Sequence, residues 1–236
     1  MQKLFTAVKY LTIWRNFAAI QQASPAALGA SMIYFPVIGL ALGLLLALIN
    51  YLLAPYLAPE ILSMLLITAL VVLTGGNHLI ALKNSFSAGA VKTSAKKNDQ
   101  GETLGIIAIV LVLLFKAAAV DSMDEKLSFS LLLTPVLARW GVLIFVYGYQ
   151  DRCDEILRPS AEQMKFWHLM LTTLGTLALG FYGLGKRGFW IALTLSLFVL
   201  SARSLLGRLR GNLTSHDLGA IIELGETLSL ILLASL

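Results

Sequence analysis

Two long stretches without a formal charge govern what this chain can fold into. No Asp, Glu, Lys or Arg occurs from Asn16 to Pro59, and none occurs from Ile61 to Leu82. About 20 apolar residues in a helix, rising about 1.5 Å each, cross a hydrocarbon core of roughly 30 Å. Inside that core each backbone amide needs an internal partner, which an α-helix supplies. Only 13% of the residues are charged, against about 25% in ordinary soluble domains. The expectation is an all-α, polytopic membrane helical bundle forming a single integral-membrane domain over residues 1–236.

Hydropathy places seven spans near 27–54, 61–82, 103–120, 128–149, 167–184, 188–206 and 217–236. Pro36 and Pro135 fall inside spans and are expected to kink them, and Gly75-Gly76 is expected to loosen the second. Leu4, Val8, Leu11 and Trp14 recur at helical spacing, so residues 2–15 read as an interfacial helix ahead of the spans, with a fraying extension of the first span as the alternative.

Basic residues then assign the sides. Lys3, Lys9 and Arg15, the loop 83–102, the loop 150–166 and the last loop hold thirteen Lys and Arg; the opposite side holds four, including Lys116 and Lys126. Arg139 completes the eighteen. This bias predicts a bacterial inner membrane protein with a cytoplasmic N-terminus and a periplasmic C-terminus, in contact with membrane lipid. The net charge of +5 is this loop excess and gives no reason to invoke nucleic acid. Cys153 is the only cysteine, so no intrachain disulfide forms, and a buried or merely incidental thiol is expected in preference to a catalytic one.

Charged groups inside spans are costly and need partners. Arg139 lies in the fourth span, and Glu223 and Glu226 share one face of the seventh, about 9 and 13 Å from its start. An ion pair from Arg139 to one of the glutamates is predicted, either as a packing clamp or at a polar cavity. Lys83, Lys92, Lys96 and Lys97 could attract phosphates or simply mark the cytoplasmic side. Asp217 suits a helix cap, with a metal site beside His216 as the weaker reading. His78 reads first as a hydrogen-bonded interior residue.

These features fall within stretches that resemble one family. They are Phe35-Pro36-Val37-Ile38-Gly39-Leu40, Leu73-Thr74-Gly75-Gly76-Asn77-His78-Leu79, Thr103-Leu104-Gly105, Ala138-Arg139-Trp140, and Leu218-Gly219-Ala220-Ile221-Ile222-Glu223-Leu224-Gly225-Glu226. In this order they resemble cobalamin-5′-phosphate synthase, the adenosylcobinamide-GDP ribazoletransferase family. The resemblance implies a magnesium-dependent transferase of cobalamin biosynthesis that joins adenosylcobinamide-GDP to α-ribazole or its 5′-phosphate and releases GMP. A homo-oligomer is left open.

The chain departs from the family where the family carries metal ligands. The family's Asp-Gly-Leu-Ala-Asp-x-x-Asp-Gly run places its aspartates on Ile80, Asn84 and Ser87 here. Its Arg/Lys-Asp-Ser motif falls on Lys97-Asn98-Asp99, and its Thr-Gly-Asp falls on Thr214-Ser215-His216. Asp99, Glu102 and Asp217 lie near the lost positions and are the candidates for Mg²⁺ binding and catalysis. His78, Lys83, Asn84, Lys97, Asn98, Arg139, Glu223 and Glu226 are the candidates for substrate binding. Two other readings stay open: a catalytically degenerate relative acting as a scaffold or binding subunit, and a small membrane transporter.

Overall fold

The computed structural model describes residues 2–14, 24–90, 96–123 and 127–235, with the side chains of 89–90 and 96–99 outside that description. Arg15, Lys92 and Lys126 therefore lie outside the described residues, as do the side chains of Lys96, Lys97, Asn98 and Asp99. The described elements are helical, in the order α1 (Gln2–Leu11), α2 (Pro25–Ser31), α3 (Phe35–Leu53), α4 (Pro59–Thr74), α5 (Asn77–Ala90), α6 (Lys96–Asp121), α7 (Leu127–Val146), α8 (Arg158–Glu162), α9 (Phe166–Leu184), α10 (Lys186–Arg210) and α11 (Ser215–Ala234).

Four segments are each long and apolar enough to cross a membrane: Pro25–Leu53, Gln100–Asp121, Leu127–Val146 and Lys186–Arg210. A fifth arises if Pro59–Thr74 and Asn77–Ala88 count as one broken span. Helices also stand at the two remaining expected spans, but they are less apolar. Asp217, Glu223 and Glu226 lower the hydropathy of α11, and His168 with several threonines dilutes α9.

The second span corrects the sequence reading most. Gly75-Gly76 breaks it, with α4 and α5 meeting at 85°. Both glycines are left-handed, at φ 65° and 66°, a conformation that costs glycine little. The expected loop 83–102 is also largely helix, because α5 continues to Ala90 and α6 begins at Lys96. Gly105 lets these helices close tightly, since a Cβ there would lie 2.7 Å from the Lys83 carbonyl oxygen. Ser87 adds a hydrogen bond to the Gly101 carbonyl at 3.0 Å.

Pro36 occupies the first turn of α3, where a missing N–H costs little. The interruption comes just before it, as a 3₁₀ turn at Met32–Tyr34. The N-terminal helix is present but ends at Leu11. Ala7 and Leu11 turn inward, Tyr10 stacks on Phe35 at 5.7 Å, and Leu4 and Trp14 of the expected apolar face point outward. The Ile13 amide donates to the Leu73 carbonyl at 2.8 Å, fastening this segment beside the Gly75-Gly76 break.

Two helices form the centre. From Ser130 to Val146 in α7, all residues but Leu132 and Ile144 are buried. α3 lies close against it: Cβ atoms on Gly39 and Gly43 would approach the Pro135 and Leu132 carbonyl oxygens to 2.4 and 2.5 Å. This small-residue spacing brings two helix backbones together in lipid. Arg203 of α10 donates to the Ile144 and Tyr147 carbonyls at 3.2 and 3.0 Å, capping the end of α7. α11 is the second central helix, buried continuously from Asp217 to Glu223.

The segments expected on one side of the membrane meet at one end of the bundle. Asp154 N donates to the Leu213 carbonyl at 2.9 Å, and Leu213 N donates to the Arg152 carbonyl at 2.7 Å. Ser160 Oγ donates to the Pro25 carbonyl at 2.6 Å. Cys153 is buried in this junction, as expected, and burial together with the Asp154 charge pushes its thiol up to about 11.

Candidate functional site: a buried charge cluster and a polar junction

The bundle is apolar outside and charged inside. Leu114, Met64, Leu197 and Trp190 are more than half exposed, whereas Arg139, Lys116, Glu223 and Glu226 are buried. The predicted Arg139 ion pair forms: Arg139 Nη1 donates to Glu226 Oε1 and, at 3.3 Å, to the Pro135 carbonyl. The partner missed in the sequence is Lys116. Its Nζ lies 2.6 Å from Glu223 Oε2 and 2.5 Å from Glu226 Oε2. Counting Lys116 as a loop charge was an error, since it lies within α6. Two acids facing one arginine already implied a second cation. Its reassignment leaves three basic residues on the sparse side and sharpens the charge bias.

The cluster is neutral, with two cations against two anions on α6, α7 and α11. That balance lets the charges persist where an unpaired one would be expensive. It also accounts for the buried charges that motivated the transporter reading. Arg139 Nε and Nη2 have no hydrogen-bond partner among the described residues, and neither does His78 Nε2. His78 is an interior residue on α5, against α11: a Cβ on Gly219 would lie 3.3 Å from His78 Cα.

A second polar group gathers at the motif-bearing end. Asp217 is fully buried at the start of α11. Its Oδ2 accepts from Thr214 N at 2.8 Å and Thr214 Oγ1 at 3.1 Å, so Thr214 is the N-cap and Asp217, expected to be the cap, completes a capping box from the first turn. Its Oδ1 accepts from Ser85 Oγ at 2.5 Å and Arg210 Nη1 at 2.8 Å. Arg210 Nη2 also donates to the Ser85 carbonyl. Ser85 and Arg210 were missed because each looks ordinary in its local sequence; only the fold places them 125 residues apart on one carboxylate.

The other predicted residues do not join this group. Ile80, Asn84 and Ser87 share the neighbouring face of α5, with Ile80 exposed and Asn84 and Lys83 half-buried. Glu102 and His216 are exposed. The side chains of Lys97, Asn98 and Asp99 lie outside the described residues.

An apolar exterior around paired interior charges defines a polytopic membrane protein. The chain belongs to the cobalamin-5-phosphate synthase family, whose model matches residues 3–234. Three relatives are each named adenosylcobinamide-GDP ribazoletransferase. The protein of Geotalea daltonii is 30% identical over 219 residues, covering 89% of this chain and 87% of its own. That of Pseudomonas fluorescens is 31% identical over 225 residues, covering 88% of each. That of Syntrophobacter fumaroxidans is 32% identical over 237 residues, covering 95% of each. No solved structure matches the chain.

The magnesium ion implied by the resemblance does not fit the described residues. Mg²⁺ is ordinarily held through one or two carboxylates. Ile80, Asn84, Ser87 and His216 supply none, and Asp217 is already bound by four donors, which leaves the exposed Glu102 as the single candidate carboxylate among the described side chains. No group of three His, Cys, Asp or Glu residues among the described residues is placed to hold a metal.

Proposed function

We propose that this protein works at the ribazole-transfer step of cobalamin biosynthesis, taking adenosylcobinamide-GDP and α-ribazole or its 5′-phosphate as substrates. The family match along nearly the whole chain carries this reading. A ribazole hydroxyl attacks the corrinoid-bearing phosphorus in line, the bond from that phosphorus to the GMP oxygen breaks, and the hydroxyl proton passes to water. The residues nearest the motif positions have binding and positioning roles: Lys83 and Lys97 attract phosphate, while Asn84 and Asn98 offer hydrogen bonds. Glu223 and Glu226 tie α11 to α6 through Lys116 and to α7 through Arg139, which fixes the helix that carries Lys97 and Asn98.

A second reading is a substrate-binding relative with little turnover. The absence of carboxylates at Ile80, Asn84, Ser87, Asn98 and His216 favours it. GMP release by the purified chain in nanodiscs separates the two. Release above the rate without protein, even when slower than the roughly 1 s⁻¹ of an ordinary enzyme, supports the transferase; retained substrate binding with no release supports the binding protein.

The proposal extends to membrane placement: seven crossings, α4 and α5 together forming the second, with a cytoplasmic N-terminus and a periplasmic C-terminus. The contacts joining residues 25, 85, 152–154, 160 and 210–213 at one end support it. A reporter active only in the cytoplasm, fused after Leu236, should be silent. Strong activity there would show the crossing count to be wrong by one.

A further inference from the structure

An ionised carboxylate offers about four acceptor positions, and all of those on Asp217 are engaged. The group supplying the charge is Arg210. Around its guanidinium stand Asp217 Oδ1 at 2.8 Å, Ser85 Oγ at 3.4 Å and the Ser85 carbonyl. A carboxylate, a hydroxyl and a backbone carbonyl are the oxygen types that hard divalent cations collect. Here they converge on a side chain, and the three atoms come from α5 and α11 while the cation comes from the end of α10. A metal could reach Asp217 only by displacing a guanidinium whose side chain is 12% exposed.

We propose that Arg210 is a built-in substitute for a divalent cation, closing the α5–α10–α11 junction so that this protein assembles its motif-bearing end without Mg²⁺. The inference rests on the proposed function only for the expectation of magnesium, and its test uses no substrate. Failure of ribazole transfer would therefore leave it standing.

The test uses the purified full chain in nanodiscs, with thermal melting in EDTA or millimolar Mg²⁺ and Mn²⁺ immobilisation read by electron paramagnetic resonance. The unaltered protein should melt at the same temperature in both and immobilise no Mn²⁺. Arg210→Met should melt several degrees lower in EDTA, recover in Mg²⁺, and bind Mn²⁺. Arg210→Lys, which keeps a cation, should stay close to the parent and indifferent to Mg²⁺. Immobilised Mn²⁺ or Mg²⁺ stabilisation in the unaltered chain would overturn the proposal. So would an Arg210→Met protein that melts like the parent, or one that melts lower yet ignores both metals. Should Arg210→Met not fold, Arg210→Lys decides: parental melting supports the substitute-cation role, and failure of the lysine variant refutes it.

Discussion

Replacing Lys116 with methionine should destabilise the bundle by about 3–5 kcal/mol, the cost of breaking a buried ion pair by removing one partner. Lys116 is 2% exposed and is the only cation paired with Glu223 among the described residues. Its loss leaves Arg139 as the single cation facing Glu223 and Glu226, so one negative charge is stranded among α6, α7 and α11. The companion variant is Lys116→Met with Glu223→Gln. It removes one charge of each sign and keeps the Arg139–Glu226 pair, so it should recover most of the loss. Fraction folded after thermal challenge in detergent, compared across parent, single and double variants, checks both statements. A double variant as damaged as the single one would mean that Lys116 matters through packing and not through charge balance.

The legible and illegible parts of this fold divide along physical lines. Apolar length and charge spacing mark helices at all seven expected spans, because burial in lipid leaves a helix few alternatives. That Arg139 pairs with Glu223 or Glu226 was legible for the same reason, since an isolated charge within a span demands a partner; that the partner is Glu226 came only with the fold. The 85° break at Gly75-Gly76 was harder to read. Two glycines permit the left-handed turn but do not compel it; the turn is selected by α5 packing on α6 and α11, where Gly105 and Gly219 admit close approach. Arg210 and Ser85 gave no local sign at all, since each resembles an ordinary surface residue until the end of α10 is folded over α5. Capping was different. Thr214 and Asp217 stand three residues apart before an apolar helix, a pattern whose hydrogen bonds are local.

Restoring carboxylates on the α5 face should produce the largest gain in chemistry. The variant carries Ile80→Asp, Asn84→Asp, Ser87→Asp and Asn98→Asp together. Positions 80, 84 and 87 lie at i, i+4 and i+7, so three carboxylates would line one side of a helix and could share a cation. Ile80 is 58% exposed, so an aspartate there would not be forced into the packed interior. Ser87 is the costly position, because its hydroxyl holds the Gly101 carbonyl at 3.0 Å and an ionised aspartate cannot donate that bond. A bound divalent ion that stabilises developing charge supplies several kcal/mol to a transition state, and each 1.36 kcal/mol is a factor of ten. Magnesium-dependent GMP release from adenosylcobinamide-GDP and α-ribazole should therefore rise by about a hundredfold or more over the unaltered chain, which should itself turn over below about 1 s⁻¹. Mn²⁺ immobilisation should appear in parallel, providing a readout independent of turnover. Adding Asn84→Asp alone should do little, because one carboxylate on that face fixes no geometry against the leaving group. If the unaltered chain already turns over at an ordinary rate, its chemistry does not depend on the missing aspartates. Substitution of Asp99, Glu102 and Asp217 one at a time would then locate the acid that has taken over. If the restored variant folds and immobilises Mn²⁺ yet releases no more GMP, the α5 face binds metal away from the diphosphate, and the transfer site lies elsewhere on the bundle.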